Sequence, residues 1–339
     1  MLSRRQTLTT AIAAGLAALP LTSSGEAARR LNDRLTGDLT PVHDPCIIQD
    51  NGVFHLFSTS QVSEGKGLIH WRTSEDLFTW TFKGAVFPDF PKWVVEAVPG
   101  TKGIWAPDIS FFNDRFHLYY AASTFGSNHS VIGLVTSPTL DTSDPAFGWT
   151  DEGLVTSSDV KDQYNAIDPN HAVDAEGRHW LSFGSFWTGI KLIELDPVTG
   201  KPKDPKAEPK SIARRHNPGA IEAPFIIRRD DYYYLFASYD FCCRGADSSY
   251  YTCVGRSKTI DGPYVDRDGL KLMNEGGTVV LHAKLDPAQR FKGPGGASLL
   301  TISDRQIIVY HAYDAQKNGV PTLRMNLLAW TKDGWPVAV

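Results

Sequence analysis

An all-β fold, a five-bladed β-propeller in a single domain, is what this sequence predicts. Three observations carry that expectation. A hairpin unit of two short alternating strands recurs five times along the 339 residues. The heads of the first four copies lie roughly 54–64 residues apart, and self-similar units of short strands at such a period read as propeller blades. Those four heads are acidic: Asp44, Asp108, Asp168 and Glu222. In a propeller the innermost strand of every blade faces one axis, so residues far apart in sequence converge there.

The first copy is His43–Ser58, HDPCIIQDNGVFHLFS, in which Asp50-Asn51-Gly52 separates two apolar runs. An Asn-Gly pair between alternating strands is the strongest short-range hairpin signal. Blade one is expected over about Leu39–Phe87, with Ile69–Arg72 as its third strand and Leu77–Phe82 as its outer one. The proline-containing stretch Pro88–Gly103 reads as a loop. Blade two starts at Ile104-Trp105-Ala106-Pro107-Asp108, turns at Asn113-Asp114, and continues through Asn128–Ser137 to Trp149. Blade three begins near Asn165 and turns between Asp174 and Gly177. Its polar, proline-rich run Asp196–Lys210 must lie at the surface. Blade four runs from Ile221 to about Val265 and turns at Asp230-Asp231. Gly276–Arg290 reads as a loop into blade five, which turns at Ser303-Asp304 and ends with a late strand, Leu323–Trp330.

Residues 1–28 stand outside this scheme. MLSRR is followed by an apolar stretch, Leu8–Leu21, and then by small residues ending near Ala27-Ala28. That pattern is a secretory signal peptide, too short to span a membrane stably, and Ser3–Leu8 resembles a twin-arginine export signal. The exported domain is then 29–339, in an extracellular or periplasmic setting. A net charge of −4 is too small to argue for nucleic acid or a membrane surface as partner; neither is expected, and a monomer is. The Arg214-Arg215-His216 run reads as a solvated loop. Four cysteines, Cys46, Cys242, Cys243 and Cys253, are too few for a disulfide scaffold and lack zinc-site spacing. Their pairing is left open, although a bridge between the adjacent Cys242 and Cys243 would need a strained eight-membered ring, and buried free thiols or at most one bridge are expected.

One Asp before a proline is ordinarily a turn residue. Acidic residues heading consecutive repeats are different, because several carboxylates at one axis raise one another's pKa. Folds keep such clusters mainly where chemistry uses them. A pair of carboxylates beside an aromatic-lined channel points to glycoside hydrolysis, with one ionised to activate water and the other protonated for the leaving oxygen. A third carboxylate would hold the acid's pKa up. Trp105 and Trp187 are candidate sugar platforms, although blade packing explains them equally well. Phe125 is a further candidate, and His43 is placed to contact a sugar or orient Asp44. Asp108 is open between a structural hydrogen-bonding role and substrate contact.

Seven segments carry a family resemblance: His43–Pro45, Ile104–Asp108, Asn165–Pro169, Gly184–Lys191, Ile221–Pro224, Phe241–Gly245 and His311–Tyr313. In this order they resemble glycoside hydrolase family 43, and within it the arabinanases. The resemblance implies an inverting endo-hydrolase of α-1,5-linked L-arabinofuranosyl bonds in plant cell-wall arabinan. It implies Asp44 as general base, Glu222 as general acid and Asp168 as pKa modulator. Asn165 and Ser185 join the substrate-binding candidates His43, Trp105, Asp108, Phe125 and Trp187. His311 resembles a histidine that binds calcium, with waters as the other ligands. An exo-acting arabinofuranosidase or β-xylosidase on the same scaffold is the nearest alternative, and a non-catalytic carbohydrate-binding propeller is a more distant one. Tryptophan-aspartate repeats of a protein-interaction propeller are missing, as are phosphate-loop and dinucleotide fingerprints.

Overall fold

The computed structural model describes residues 31–339; the export segment predicted at 1–28 lies outside the described residues. Five antiparallel sheets follow one another along the chain. Blade one is Cys46–Asp50, Val53–Ser58, Leu68–Ser74 and Thr79–Phe87. Blade two is Gly103–Phe112, Arg115–Ala122, Ser130–Ser137 and Thr150–Ser158. Blade three is Asn170–Val173, His179–Phe183, Ile190–Leu195 and Lys210–Ala213. Blade four is Ile221–Arg229, Tyr232–Tyr239, Tyr251–Ser257 and Thr278–Leu281. Blade five is Phe291–Ile302, Arg305–Asp314, Val320–Trp330 and Pro336–Ala338. Each first strand touches the first strand of the next blade, and the fifth returns to the first, so the ring is closed.

The hairpin chemistry matches the turns that form. Asn51 and Gly52 have φ of 47° and 86°, and Asn113 and Asp114 have 48° and 54°. Two consecutive residues at positive φ make the turn whose twist suits paired strands, which is why Asn, Asp and Gly occur there. Between blades, the alternating apolar faces meet in five separate clusters, one at each junction. At the junction of blades five and one, Phe54, Leu56, Val309 and Met325 are completely buried. Burying one such side chain contributes about 1.5–3 kcal/mol.

Among the described residues, ring closure uses no shared strand. Residues ahead of blade one instead lie across the junction of blades one and five. Thr36–Gly37 adds a parallel strand to the outer edge of blade one. The Leu323 N–H donates to Leu39 O and the Val42 N–H to Pro321 O, each at 3.0 Å. The Asn32 side chain also exchanges hydrogen bonds with the Met325 backbone.

Four expectations change. The stretch Pro88–Gly103 contains an α-helix, Lys92–Ala97, whose Val94 is buried against blades one and two. Within Gly276–Arg290, Thr278–Leu281 forms the outer strand of blade four, too short to show alternation. Pro336–Ala338 forms a fourth strand in blade five. Arg215 is not loosely solvated: it stacks over Tyr239 and pairs with Asp240 at 2.7 Å.

Candidate active site

Every blade opens on a residue that precedes a proline and lies in the left-handed backbone region. These are Asp44, Ala106, Asp168, Ala223 and Gly293, with φ of 46°, 43°, 57°, 50° and 54°. Four are not glycine, and each costs about 1 kcal/mol or more in that conformation. Strain of this kind persists where the surroundings over-determine it, typically around functional sites. In blades two, four and five the strand register shifts at this point. A bulge there re-aims the flanking side chains, and the proline has no N–H to leave unpaired.

The four acidic heads are consequently not equivalent. Asp44 and Asp168 occupy the pre-proline position itself, Glu222 sits one residue before it, and Asp108 two residues after it. The first three line one cleft of about 1070 Å³ at the end of the ring. Asp108 does not.

Asp44 is held from three sides. Its carboxylate accepts the Thr59 hydroxyl at 2.7 Å and meets His43 Nδ1 at 2.7 Å. Its backbone N–H donates to His311 Nδ1 at 3.0 Å, and the His43 and His311 rings stack with centroids 3.7 Å apart. Gly296 makes this packing possible, because a Cβ there would meet Asp44 Oδ1 at 2.5 Å and the His311 ring at 2.9 Å. Glu222 is buried and accepts the Ser185 hydroxyl at 2.6 Å and the Tyr250 hydroxyl at 2.7 Å. Asp168 accepts the Ala223 N–H at 3.0 Å, which ties it to the segment bearing Glu222.

These surroundings drive the carboxyls apart. Burial by itself raises Asp44, but the His43 charge and hydrogen bond, with help from His311 and Thr59, hold it at about 2. Burial raises Glu222; the Ser185 and Tyr250 hydrogen bonds oppose this, and the negative charge of Asp44 adds to it. Asp168 is raised well above the ordinary carboxylate range by burial and by repulsion from Glu222 and Asp44. The cleft thus holds one carboxylate kept below the ordinary range beside a buried pair pushed above it. That division of states is what an acid–base pair needs.

Comparison with known proteins agrees with that chemistry. Residues 40–336 match the family described as glycosyl hydrolases family 43. The chain belongs to this family. It is 43% identical over 297 residues to the extracellular endo-α-(1→5)-L-arabinanase 1 of Bacillus subtilis, covering 87% of each chain. It is 38% identical to the extracellular exo-α-(1→5)-L-arabinofuranosidase ArbA of Cellvibrio japonicus, over 87% of this chain and 85% of that protein. Among solved structures it resembles the family 43 endo-arabinanase of Bacillus licheniformis, with a TM-score of 0.81 at 43% identity, over 89% of this chain and 99% of that one.

In this family 43 chain the remaining candidates divide between cleft and scaffold. His43, Trp105, Phe125, Asn165, Ser185 and Trp187 all line the cleft. Phe125 stands at its rim with 84% of its surface exposed, and Trp187 is 38% exposed. The Asn165 side chain is fixed by the Ser130 hydroxyl at 2.7 Å. His311 is fully buried behind Asp44, and its Nε2 has no hydrogen-bond partner.

Asp108 takes the structural hydrogen-bonding role of the two left open by the sequence, and its place among the substrate-binding candidates is corrected. Its position two residues past the bulge turns the carboxylate into the junction of blades two and three. There it accepts the His171 N–H at 2.8 Å and the Asn170 amide at 3.2 Å. Burial pushes it up to about 7 although both bonds favour the charged form. The unfolded chain loses this proton near pH 3.8 and the folded one only near 7, so its stabilising contribution is complete below 3.8 and is lost as pH rises to 7. Comparison of wild type with Asp108→Asn by thermal unfolding should show the wild-type advantage declining by at most about 4 kcal/mol across that interval. A pH-independent difference would reject the assignment.

Two residues of the site, Thr59 and Tyr250, carry no sequence signal of their own, and Tyr313, though within the His311–Tyr313 segment, is not singled out by it. Thr59 follows the second strand of blade one, and its hydroxyl also accepts the Ala106 N–H at 2.8 Å. Tyr313 lies two residues beyond His311 on the same strand, and strand periodicity puts both on one face. That spacing was the available clue. The cysteines meet the expectation of at most one bridge: Cys242 and Cys243 are joined despite the small ring this needs, while Cys46 and Cys253 are buried free thiols.

Proposed function

We propose that the protein is an exported endo-arabinanase that cleaves internal α-1,5-linked L-arabinofuranosyl bonds of arabinan with inversion, acting as a monomer. The observation that carries the catalytic part is the split between Asp44, held ionised, and Glu222, held up by burial and by the Asp44 charge. Asp44 takes a proton from water as it attacks the anomeric carbon, and Glu222 gives its proton to the departing oxygen. Burial and the Asp44 charge favour the protonated state of Glu222 before the bond breaks, and Asp168, which accepts the Ala223 N–H, orients the segment that bears it. Inversion requires the water to enter opposite the leaving group, with the two carboxyls roughly 6.5–9.5 Å apart. Proton NMR of early hydrolysis products tests this: β-configured reducing ends support inversion, and α-configured ones reject it.

Substrate class is supported by the names of the relatives, and internal cleavage by the cleft. At about 1070 Å³, lined by residues of all five blades, it is larger than one furanose ring needs. The exo alternative has its own support, since an exo-acting relative shares this scaffold at 38% identity. Product analysis on linear arabinan separates them. A spread of oligosaccharides with a fast fall in viscosity supports endo cleavage; free arabinose from the outset supports exo cleavage. Export is supported by the word extracellular in the names of two relatives.

A calcium ion on His311 is part of the same proposal. A buried ring nitrogen without a partner fits a ligand supplied from the channel, and donor atoms of His43, Asp44 and His311 lie within 4.8 Å of one another. Because Nδ1 accepts the Asp44 N–H, the neutral ring carries its proton on Nε2, and holding a cation there would require that proton to move to Nδ1 and the Asp44 N–H bond to give way. Bound there, it would supply positive charge beside the base. Chelation with EDTA is expected to lower the melting temperature by a few degrees and reduce activity, and added calcium to restore both. Unchanged melting and activity would count against the ion.

A further inference from the structure

The bridged pair Cys242–Cys243 lines the cleft, in the segment connecting the second and third strands of blade four. A disulfide stabilises mainly by closing a long loop of the unfolded chain. One between neighbours closes almost none, so its effect is local: it restricts the backbone of the two residues it joins.

That backbone is connected to Asp44. Cys243 lies at φ +66° although it is not glycine. In this conformation its N–H donates to the Tyr313 hydroxyl at 2.8 Å. The same hydroxyl is 2.7 Å from His43 Nε2, and His43 Nδ1 is 2.7 Å from Asp44 Oδ2. Three consecutive hydrogen bonds run from the bridged dipeptide to the carboxylate. A phenol oxygen can serve two partners at once, so Tyr313 joins the two halves without a charge of its own. Tyr313 is buried, whereas Cys243 is exposed and open to reductant.

We propose that the Cys242–Cys243 disulfide is a positioning element for the general base. It keeps the Cys243 N–H on Tyr313 and, through Tyr313 and His43, sets the Asp44 carboxylate. Opening the bridge lets Cys243 leave the left-handed region and withdraws the N–H. Turnover then falls, while substrate affinity is largely retained. The inference rests on Asp44 being the base. Cys242, Cys243 and Tyr313 reach Asp44 only through His43, so they are positioning residues.

A water-soluble phosphine opens the bridge: the S–S bond breaks, each sulfur takes up a proton, and the phosphine leaves as its oxide with oxygen from water. Reduction of the whole protein should expose two new thiols and lower kcat on linear arabinan about tenfold or more, with KM changed less than about twofold. Tyr313→Phe, left oxidised, should lose a similar factor. Reduction of that variant should then cost less than about twofold further, because the link is already broken. Loss of the same factor in both proteins would overturn the proposal, as would a fully reduced wild type with unchanged kcat. Cys242→Ala/Cys243→Ala repeats the comparison without reductant, and a variant that melts like wild type and keeps its kcat rejects the inference. Hydrogen exchange at the Cys243 amide is read independently of activity. Acceleration of about tenfold or more on reduction supports the link to Tyr313, and no change refutes it. Absence of arabinan hydrolysis by the oxidised wild type would sink the substrate reading, while the exchange result still decides the link.

Discussion

Replacing Glu222 by glutamine is expected to lower kcat on linear arabinan by about 10²–10⁴-fold, with KM within a factor of a few. Glutamine preserves the shape; its single amide oxygen can accept from one of the Ser185 and Tyr250 hydroxyls and its NH₂ can donate to the other, so folding and binding should survive. What is lost is a proton for the leaving oxygen. The loss should therefore shrink on an arabino-oligosaccharide carrying a nitrophenolate leaving group, which departs without protonation. An equal loss on both substrates would remove Glu222 from the acid role. The pH profile gives a second check. Glu222 works only while protonated, so activity declines as pH rises through its elevated pKa. Ser185 donates to this carboxyl and favours its charged form. Ser185→Ala should therefore move the alkaline limb to higher pH, and a shift to lower pH would contradict the assignment.

Asp44→Asn should produce a loss of the same order, about 10²–10⁴-fold, for a different reason. The amide cannot take a proton from water, and its NH₂ would face the Thr59 hydroxyl or His43 in place of an acceptor. Because attack by water is impaired whatever group departs, the loss should persist on the nitrophenyl substrate. That contrast with Glu222→Gln is the decisive comparison. In Asp44→Gly, azide supplied in solution should restore turnover of the nitrophenyl substrate by entering where the activated water would, and the glycosyl azide should have the inverted configuration. An azide product of retained configuration would place the nucleophile on the other face and end the inverting reading.

Both predictions depend on features with different origins. The five-fold plan was legible because it is local. Asn51-Gly52 and Asn113-Asp114 can take two positive φ angles in succession, and alternating runs on either side can only bury one face, so each hairpin announces itself. Asp44, Asp168 and Glu222 were legible because each adjoins a proline-containing head in consecutive repeats. Asp108 looked like their fourth member for the same reason. Its different place shows only when the strand bulge is seen, since one inserted residue reverses which face a side chain takes. The helix Lys92–Ala97 and the strands Thr278–Leu281 and Pro336–Ala338 escaped notice because each is too short to express a period and is held by its neighbours.

By itself, then, the sequence determined the class of fold, the number of blades and four acidic heads, which follow from repeats and turn chemistry within about twenty residues; the family resemblance singled out three of the four. Tertiary structure decided what those carboxylates are. The ionised state of Asp44 comes from His43, Thr59 and His311, and the raised pKa of Glu222 from burial and from Asp44. Apart from the neighbouring His43, the partners of Asp44 lie 15 and 267 residues away along the chain. Ring closure by residues 32–42 against blade five, and the path from Cys243 through Tyr313 to Asp44, are likewise contacts between distant parts of the chain. Local pattern specifies a strand and its turn; only packing the blades around one axis sets the field each side chain feels.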